Sequence, residues 1–106
     1  MAFAPFDLTG KTALVTGGNK GIGLGMAEGL AAAGANLAIW GRKEADNKAA
    51  AEKLSGIGAG EAKAWTVDVA DEQAVIEATQ DVVKTFGRID TCIANAGVGF
   101  SAPSFH

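Results

Sequence analysis

Short apolar runs alternate along this chain with longer stretches in which apolar residues recur at helical spacing. Thr12 to Thr16 (TALVT) is apolar, rich in β-branched residues, and opens directly into a glycine-rich stretch. That is the pattern of a strand buried on both faces in a parallel sheet. From Ile22 to Ala33 the segment IGLGMAEGLAAA predicts a helix, with Ile22, Met26 and Leu30 stacked at i, i+4 and i+8. Its alanines and glycines predict a close approach to the sheet beneath, and Gly34 is placed to stop it. Asn36 to Trp40 (NLAIW) predicts a second buried strand, ending at Gly41-Arg42. Lys43 to Leu54 carries alanines and charges at helical spacing until the glycines at 56, 58 and 60 break it. The charges from Glu44 to Lys53 read as a solvated face. Ala64 to Val69 (AWTVDV) predicts a third strand. Asp71 is placed as the N-cap of a third helix with an apolar stripe of Val75, Val82 and Phe86 and a stop at Gly87. Ile89 to Val98 (IDTCIANAGV) predicts a fourth strand running into a glycine-containing turn.

An order of β-α-β-α-β-α-β with short connections implies right-handed crossovers and an α/β fold, a parallel sheet flanked by helices. Doubly wound, such a sheet has the strand order 3-2-1-4, with its switch point between the first and fourth strands. Ligands bind there, at the carboxyl ends of the strands. The segments Gly17 to Gly23 and Asn95 to Gly97 both arrive at that crevice.

Composition removes several classes of function. At 106 residues, 48% hydrophobic and 20% charged, the chain has room for one small globular domain and is not a disordered segment. No apolar run approaches the roughly 20 residues of a membrane-spanning helix. A net charge of −3 leaves no basic footprint for nucleic acid or anionic lipid. One cysteine and one terminal histidine build neither an internal disulfide nor a metal cluster. Cys92 falls in the middle of the fourth strand and is expected to pack as a small buried hydrophobe. The first strand begins too close to Met1 for a signal peptide, so a cytoplasmic location is expected.

The strongest chemical signal is Thr16-Gly17-Gly18-Asn19-Lys20-Gly21-Ile22-Gly23, between a predicted strand and a predicted helix. Gly17 permits a tight turn, Gly21 lets backbone approach a pyrophosphate, and Gly23 allows close helix–strand contact. Free N–H groups at the helix start, with the helix dipole, favour a negative phosphate. The spacing G-x-x-x-G-x-G is neither the G-x-G-x-x-G fingerprint nor a P-loop, and a tight turn without a ligand would use the same glycines. The other glycine-rich stretch, Gly56 to Gly60, follows a helix and precedes a strand, so it reads as a loop. Asp90, at the start of the fourth strand, reads as ordering a turn, and Trp40 and Trp65 as core or edge packing.

These motifs resemble the short-chain dehydrogenase/reductase family. TGGNKGIG is similar to that family's TGxxxGxG cofactor loop. Ile93-Ala94-Asn95-Ala96-Gly97 is similar to its NNAG motif, with Ala94 in place of the first asparagine. Val67-Asp68-Val69 is similar to the segment where the family holds the adenine ring. The likeness covers nearly the whole chain and implies a Rossmann fold. The cofactor contacts it implies are Gly17, Asn19, Lys20, Gly21, Ile22, Gly23, Arg42, Asp68, Val69, Asn95, Ala96 and Gly97.

Charge separates the two nicotinamide cofactors. A carboxylate at the end of the second strand accepts hydrogen bonds from the ribose of NAD and repels a 2′-phosphate. Here Gly41 offers no carboxylate, Arg42 follows it, and Lys20 adds a second cation within the glycine loop. Arginine suits phosphate by its forked donors and lysine by its point charge. Both match positions where NADP-preferring members carry basic residues. The expected cofactor is NADP, with NAD as the alternative.

The resemblance implies hydride transfer between NADP(H) and a small-molecule carbonyl or secondary alcohol, in a protein that is a homo-oligomer when complete. It also implies a catalytic tyrosine, a lysine four residues later, a serine and an asparagine, all downstream of the NAG turn. The chain holds no tyrosine and ends nine residues after Gly97. Lys84 and Ser101 do not stand at the motif positions, so no catalytic residue is assigned. The fourth strand, patterned for burial on both sides, would also form an exposed edge. Residues 1–106 are therefore read as the dinucleotide-binding part of a single domain that is incomplete at its C-terminal side. FDLTGKTALVTGGNKGIG is similar to the start of sugar-acid and polyol dehydrogenases and of 3-oxoacyl reductases. A non-catalytic nucleotide-binding module and a structural paralogue with an empty loop are the alternatives.

Overall fold

Alternate residues of the two central strands face different helices, and that split builds three layers. The computed structural model describes residues 7–17, 21–58 and 60–94. In chain order it contains β1 (Thr12–Thr16), α1 (Gly21–Ala32), β2 (Asn36–Gly41), α2 (Glu44–Ser55), β3 (Ala62–Thr66), α3 (Glu72–Phe86) and β4 (Thr91–Ala94). The strands form one parallel sheet in the expected order β3-β2-β1-β4. Ala13, Val15, Leu37 and Ile39 pack on one face against Ala27 and Ala31 of α1 and Ala50 and Leu54 of α2. Leu14, Ala38 and Trp40 turn the other way, onto Ala78 and Val82 of α3. Burial on both faces explains why β1 and β2 read as unbroken apolar runs instead of alternating ones.

The close approach of α1 is observed, but the face that makes it is not the large-residue stripe. Gly23, Ala27 and Ala31 are the buried residues of this helix. Ile22 and Met26 are 76% and 39% exposed. Small side chains let the helix axis lie near the sheet, and a bulky residue on the same face would force the layers apart. Gly34 ends the helix with a φ of 99°.

The third strand starts and stops two or three residues earlier than its β-branched pattern predicts. Its ladder with β2 runs from Leu37↔Ala62 to Gly41↔Thr66 and stops where β2 stops. Val67 has left the strand, although its N–H still donates to the Gly41 carbonyl at 2.9 Å. Its side chain is buried against the α3 layer. Val67 therefore marks burial at a turn, whereas Val69 is exposed.

The approach to β4 is fastened by Asp90. Its backbone N–H donates to the Thr12 carbonyl at 2.9 Å, and its carboxylate accepts from the Thr12 N–H at 2.8 Å. Arg88 grips the same carboxylate with a forked guanidinium, Nε at 2.9 Å and Nη2 at 2.7 Å. These bonds seat Ala13 opposite Thr91 at the first rung of the β1–β4 ladder. The expected strand Ile89–Val98 is thus shortened at its start, and its residues 95–98 lie outside the described residues. Within β4 the expectation of burial is not met. Cys92 is exposed, because this edge strand has a neighbour in β1 alone among the described strands. Partial desolvation still pushes the thiol pKa up, which disfavours the reactive thiolate.

The second glycine-rich stretch has a packing role. A Cβ on Gly58 would overlap the Ala31 carbonyl oxygen, and one on Gly60 would overlap that of Ala35. These glycines let the α2–β3 loop lie backbone to backbone against the end of α1. The capping expectations hold at α3, where the Asp71 side chain accepts from the Ala74 N–H at 3.1 Å. Gly87, with a φ of 85°, closes its last turn onto the Val83 carbonyl at 2.7 Å.

Candidate cofactor site

One rung of the sheet aligns the carboxyl ends of all four strands. Trp65 pairs with Trp40, Trp40 with Thr16, and Thr16 with Ala94. Three inter-strand spacings make this rim about 14 Å long. The chain leaves it at Gly17, at Gly41-Arg42 and at Thr66-Val67, and the described part of β4 ends on it at Ala94. Parallel pairing thus brings together segments that lie up to about eighty residues apart in the chain.

At the centre of the rim, Gly17 turns away from β1 with a φ of 71°, a conformation that favours glycine. Its N–H donates to the Trp40 carbonyl at 2.8 Å. Gly21, with a φ of 64°, is the first residue of α1. A Cβ on Gly21 would meet nothing within 4 Å, so the space beside it is open. The first turn of α1 contains no acidic residue, so no carboxylate competes for its N–H groups and positive dipole end. Ile22 is exposed there, and Gly23 is buried against the sheet. By contrast, the first turn of α2 carries Glu44 and Asp46.

Toward the β3 side, Arg42 follows β2 with its side chain exposed. Asp68 and Val69 are exposed beyond β3. The Asp68 carboxylate accepts from the Ala70 N–H at 2.9 Å, and its carbonyl accepts from the Asp71 N–H at 2.9 Å. It therefore shapes the turn that leads into α3. Asn19, Lys20, Asn95, Ala96 and Gly97, the remaining contacts expected from the sequence, lie outside the described residues. The structure brings Gly17, Gly21, Ile22 and Gly23 together at β1, and places Arg42, Asp68 and Val69 along the same rim.

One residue at this end is absent from the sequence-based set. Asn47 of α2 is 3% exposed, and its side-chain amide donates to the Gly41 carbonyl at 3.0 Å and the Trp65 carbonyl at 3.2 Å. The signal was its spacing. Asn47, Ala50 and Leu54 are the buried residues of α2, and a polar residue on that stripe needs buried partners.

A separate concavity of about 220 Å³ lies at the opposite, amino end of β1, between Lys11, Leu30, Asp90 and Thr91. It is remote from the rim. Among the described residues there is no group of three side chains able to hold a metal ion. No helix among them is long and apolar enough to cross a membrane.

A family model described as short chain dehydrogenase matches residues 11–105. The chain is 43% identical over 98 residues to the probable NADP-dependent mannitol dehydrogenase of Yarrowia lipolytica, covering 92% of this chain and 34% of that protein. Among solved structures it superposes on the L-sorbose reductase of Gluconobacter frateurii, described as complexed with NADPH and L-sorbose. There the TM-score is 0.82 at 34% identity, covering 89% of this chain and 36% of that one. It also superposes on an NAD+-bound xylitol dehydrogenase, with a TM-score of 0.77 at 34% identity, covering 80% of this chain and 32% of that one. The chain therefore spans about a third of the length of the relatives it matches. With its sheet order, its glycine turn at β1 and a family match over almost all of its length, this chain belongs to the short-chain dehydrogenase family.

Proposed function

We propose that this chain is the cofactor-holding part of an NADP(H)-dependent oxidoreductase that interconverts a carbonyl and a secondary alcohol. The observation that carries the cofactor half of this reading is the charge at the end of β2. That strand closes on Gly41 and is followed by the exposed guanidinium of Arg42, where NAD-binding sites place a carboxylate. The donors present suit a doubly charged 2′-phosphate, and Lys20 in the glycine-rich segment after β1 is a second cation.

The rim fits a dinucleotide in one order. Val69 and Asp68 edge the adenine, and Arg42 faces the 2′-phosphate. Gly17, Asn19, Gly21, Ile22 and Gly23 receive the pyrophosphate at the start of α1, and Asn95, Ala96 and Gly97 border the nicotinamide half. When bound, NADP(H) supplies or accepts the hydride. The residues of this chain bind and orient it. No proton-transfer group is assigned among the residues of this chain. Relatives named for mannitol, sorbose and xylitol favour a sugar or polyol substrate. A non-catalytic nucleotide-binding module is the second reading, and the absence of any tyrosine in these 106 residues is what favours it.

The test is NADPH consumption by the whole protein carrying this chain, with ketoses and 3-oxoacyl thioesters offered in parallel. Turnover of a ketose with NADPH is expected. Turnover of the thioester alone would overturn the substrate reading, and binding of NADPH with no turnover of either would favour the module.

A further inference from the structure

We infer that Asn47 is a positioning residue for the adenine end of the cofactor site, setting the selectivity for the 2′-phosphate without touching it. The inference rests on the NADP reading above, and on a geometry independent of it.

Asn47 holds Arg42 in place from both sides. Its backbone N–H donates to the carbonyl of Lys43 at 3.0 Å, the residue after Arg42. Its side-chain Nδ2 donates to the carbonyl of Gly41 at 3.0 Å, the residue before. Lys43 caps α2 without a side-chain cap hydrogen bond, and the Asn47 side chain anchors this first turn to Gly41.

The same amide reaches the other strand. Nδ2 also donates to the Trp65 carbonyl at 3.2 Å and lies 3.4 Å from the Thr66 hydroxyl oxygen. The Gly41 carbonyl in turn accepts the Val67 N–H at 2.9 Å. One buried amide therefore ties the last rung of β2 to the last rung of β3. Arg42 lies one residue beyond this rung on one strand, and Asp68 two residues beyond it on the other. The adenine and the 2′-phosphate belong to one nucleoside, so their separation is fixed covalently. A site that grips both gains affinity when its two arms are held at that separation beforehand.

The chemistry selects asparagine. Nδ2 faces three oxygen atoms, so the position needs a donor with two hydrogens. Leucine would leave the Gly41 and Trp65 carbonyls without this partner, and aspartate would set a carboxylate against them.

The test compares NADPH and NADH affinities for the whole protein in wild type, Asn47→Leu, Asn47→Asp and Arg42→Ala. Wild type is expected to prefer NADPH, and Arg42→Ala to lose that preference. Asn47→Leu and Asn47→Asp are expected to lower the NADPH-to-NADH affinity ratio by about tenfold or more, since small misplacements of a binding group carry costs of that size. Asn47→Leu in the Arg42→Ala background should leave the ratio where Arg42→Ala alone puts it. A folded Asn47 variant with a lower melting temperature but an unchanged ratio would overturn the positioning role and leave the NADP reading intact. A wild type without NADPH preference would overturn both. If both Asn47 variants fail to fold, the wild-type side-chain amide serves as the probe by NMR. It should shift more with adenosine 2′,5′-bisphosphate than with adenosine 5′-monophosphate, and equal shifts would overturn the inference.

Discussion

Replacing Gly60 by alanine adds one methyl group, and the structure says where it must go. It would overlap the Ala35 carbonyl oxygen and stand 2.6 Å from the Ala35 carbonyl carbon and 2.9 Å from the Gly34 carbonyl oxygen. All three are backbone atoms, and they are tethered. The Ala35 N–H donates to Leu30 at 3.1 Å, the Gly34 N–H to Ala31 at 2.9 Å, and the Asn36 N–H to Lys11 at 2.8 Å. The Gly34–Ala35 side cannot yield without breaking the turn between α1 and β2. Overpacking of a tight site costs about 1–3 kcal/mol and occasionally more, and a backbone-on-backbone clash belongs at about 3 kcal/mol. The relatives are about three times as long as this chain, and in a protein of that size each kcal/mol moves the melting temperature by roughly 2–4 °C, so Gly60→Ala in the whole protein should melt about 6–12 °C lower. Gly25→Ala and Gly29→Ala are the internal controls. Both lie inside α1 with nothing within 4 Å of the added carbon. Alanine there should stabilise by about 0.5–1 kcal/mol through helix propensity alone. Circular dichroism melts of the three variants beside wild type decide the matter. A Gly60→Ala variant within about 0.5 kcal/mol of wild type would refute the close-approach account of the second glycine-rich stretch.

Three further outcomes are expected. Leu54 is 1% exposed between α2 and the sheet, so Leu54→Ala should cost about 2–5 kcal/mol in urea unfolding, and a loss below about 1 kcal/mol would contradict its place in the core. Removing the N-cap of α3 with Asp71→Ala should cost about 1 kcal/mol by the same measurement, and no loss would contradict the cap seen at Ala74. Asp90 has its pKa lowered by the Arg88 hydrogen bonds first and the Thr12 N–H second. A depressed carboxylate pKa adds stability that is present above the unfolded value near 3.8 and is lost as pH falls through the folded one. The stability difference between wild type and Asp90→Asn should therefore shrink on acidification through that range, and a difference independent of pH would contradict the pairing.

The parts of the fold legible from sequence were those where burial is two-sided or a single residue type does a local job. TALVT and NLAIW lie in the sheet at the places their apolar runs indicate, and Asp71, Gly34 and Gly87 cap or stop helices as expected. The spacing of Ile22 and Met26 gave the helix, but apolar spacing reports which residues share a face, not which face a close-packed layer can accept. The sheet accepted the face with the smallest side chains. Val67 misled because a β-branched residue marks burial at a strand exit as readily as a strand interior, and Val69 is exposed beyond it; pairing with β2 ended β3 at Thr66. Cys92 misled because its burial depends on what lies beside β4. At the site, the glycine turn and Arg42 were readable as local chemistry. Asn47 was hidden among helix charges, since its partners are carbonyls on two other elements.

The central claim is that the end of β2 selects a 2′-phosphate, and cofactor titration tests it most directly. Quenching of Trp40 and Trp65 at the rim gives the signal, with NADPH and NADH titrated into the wild-type protein and Arg42→Ala. NADPH should bind roughly 10–100-fold more tightly than NADH, the span of charge-assisted hydrogen bonds to a phosphate, and Arg42→Ala should remove most of that preference while leaving NADH nearly unchanged. Equal affinities in the wild type, or an equal loss for both cofactors in Arg42→Ala, would contradict it.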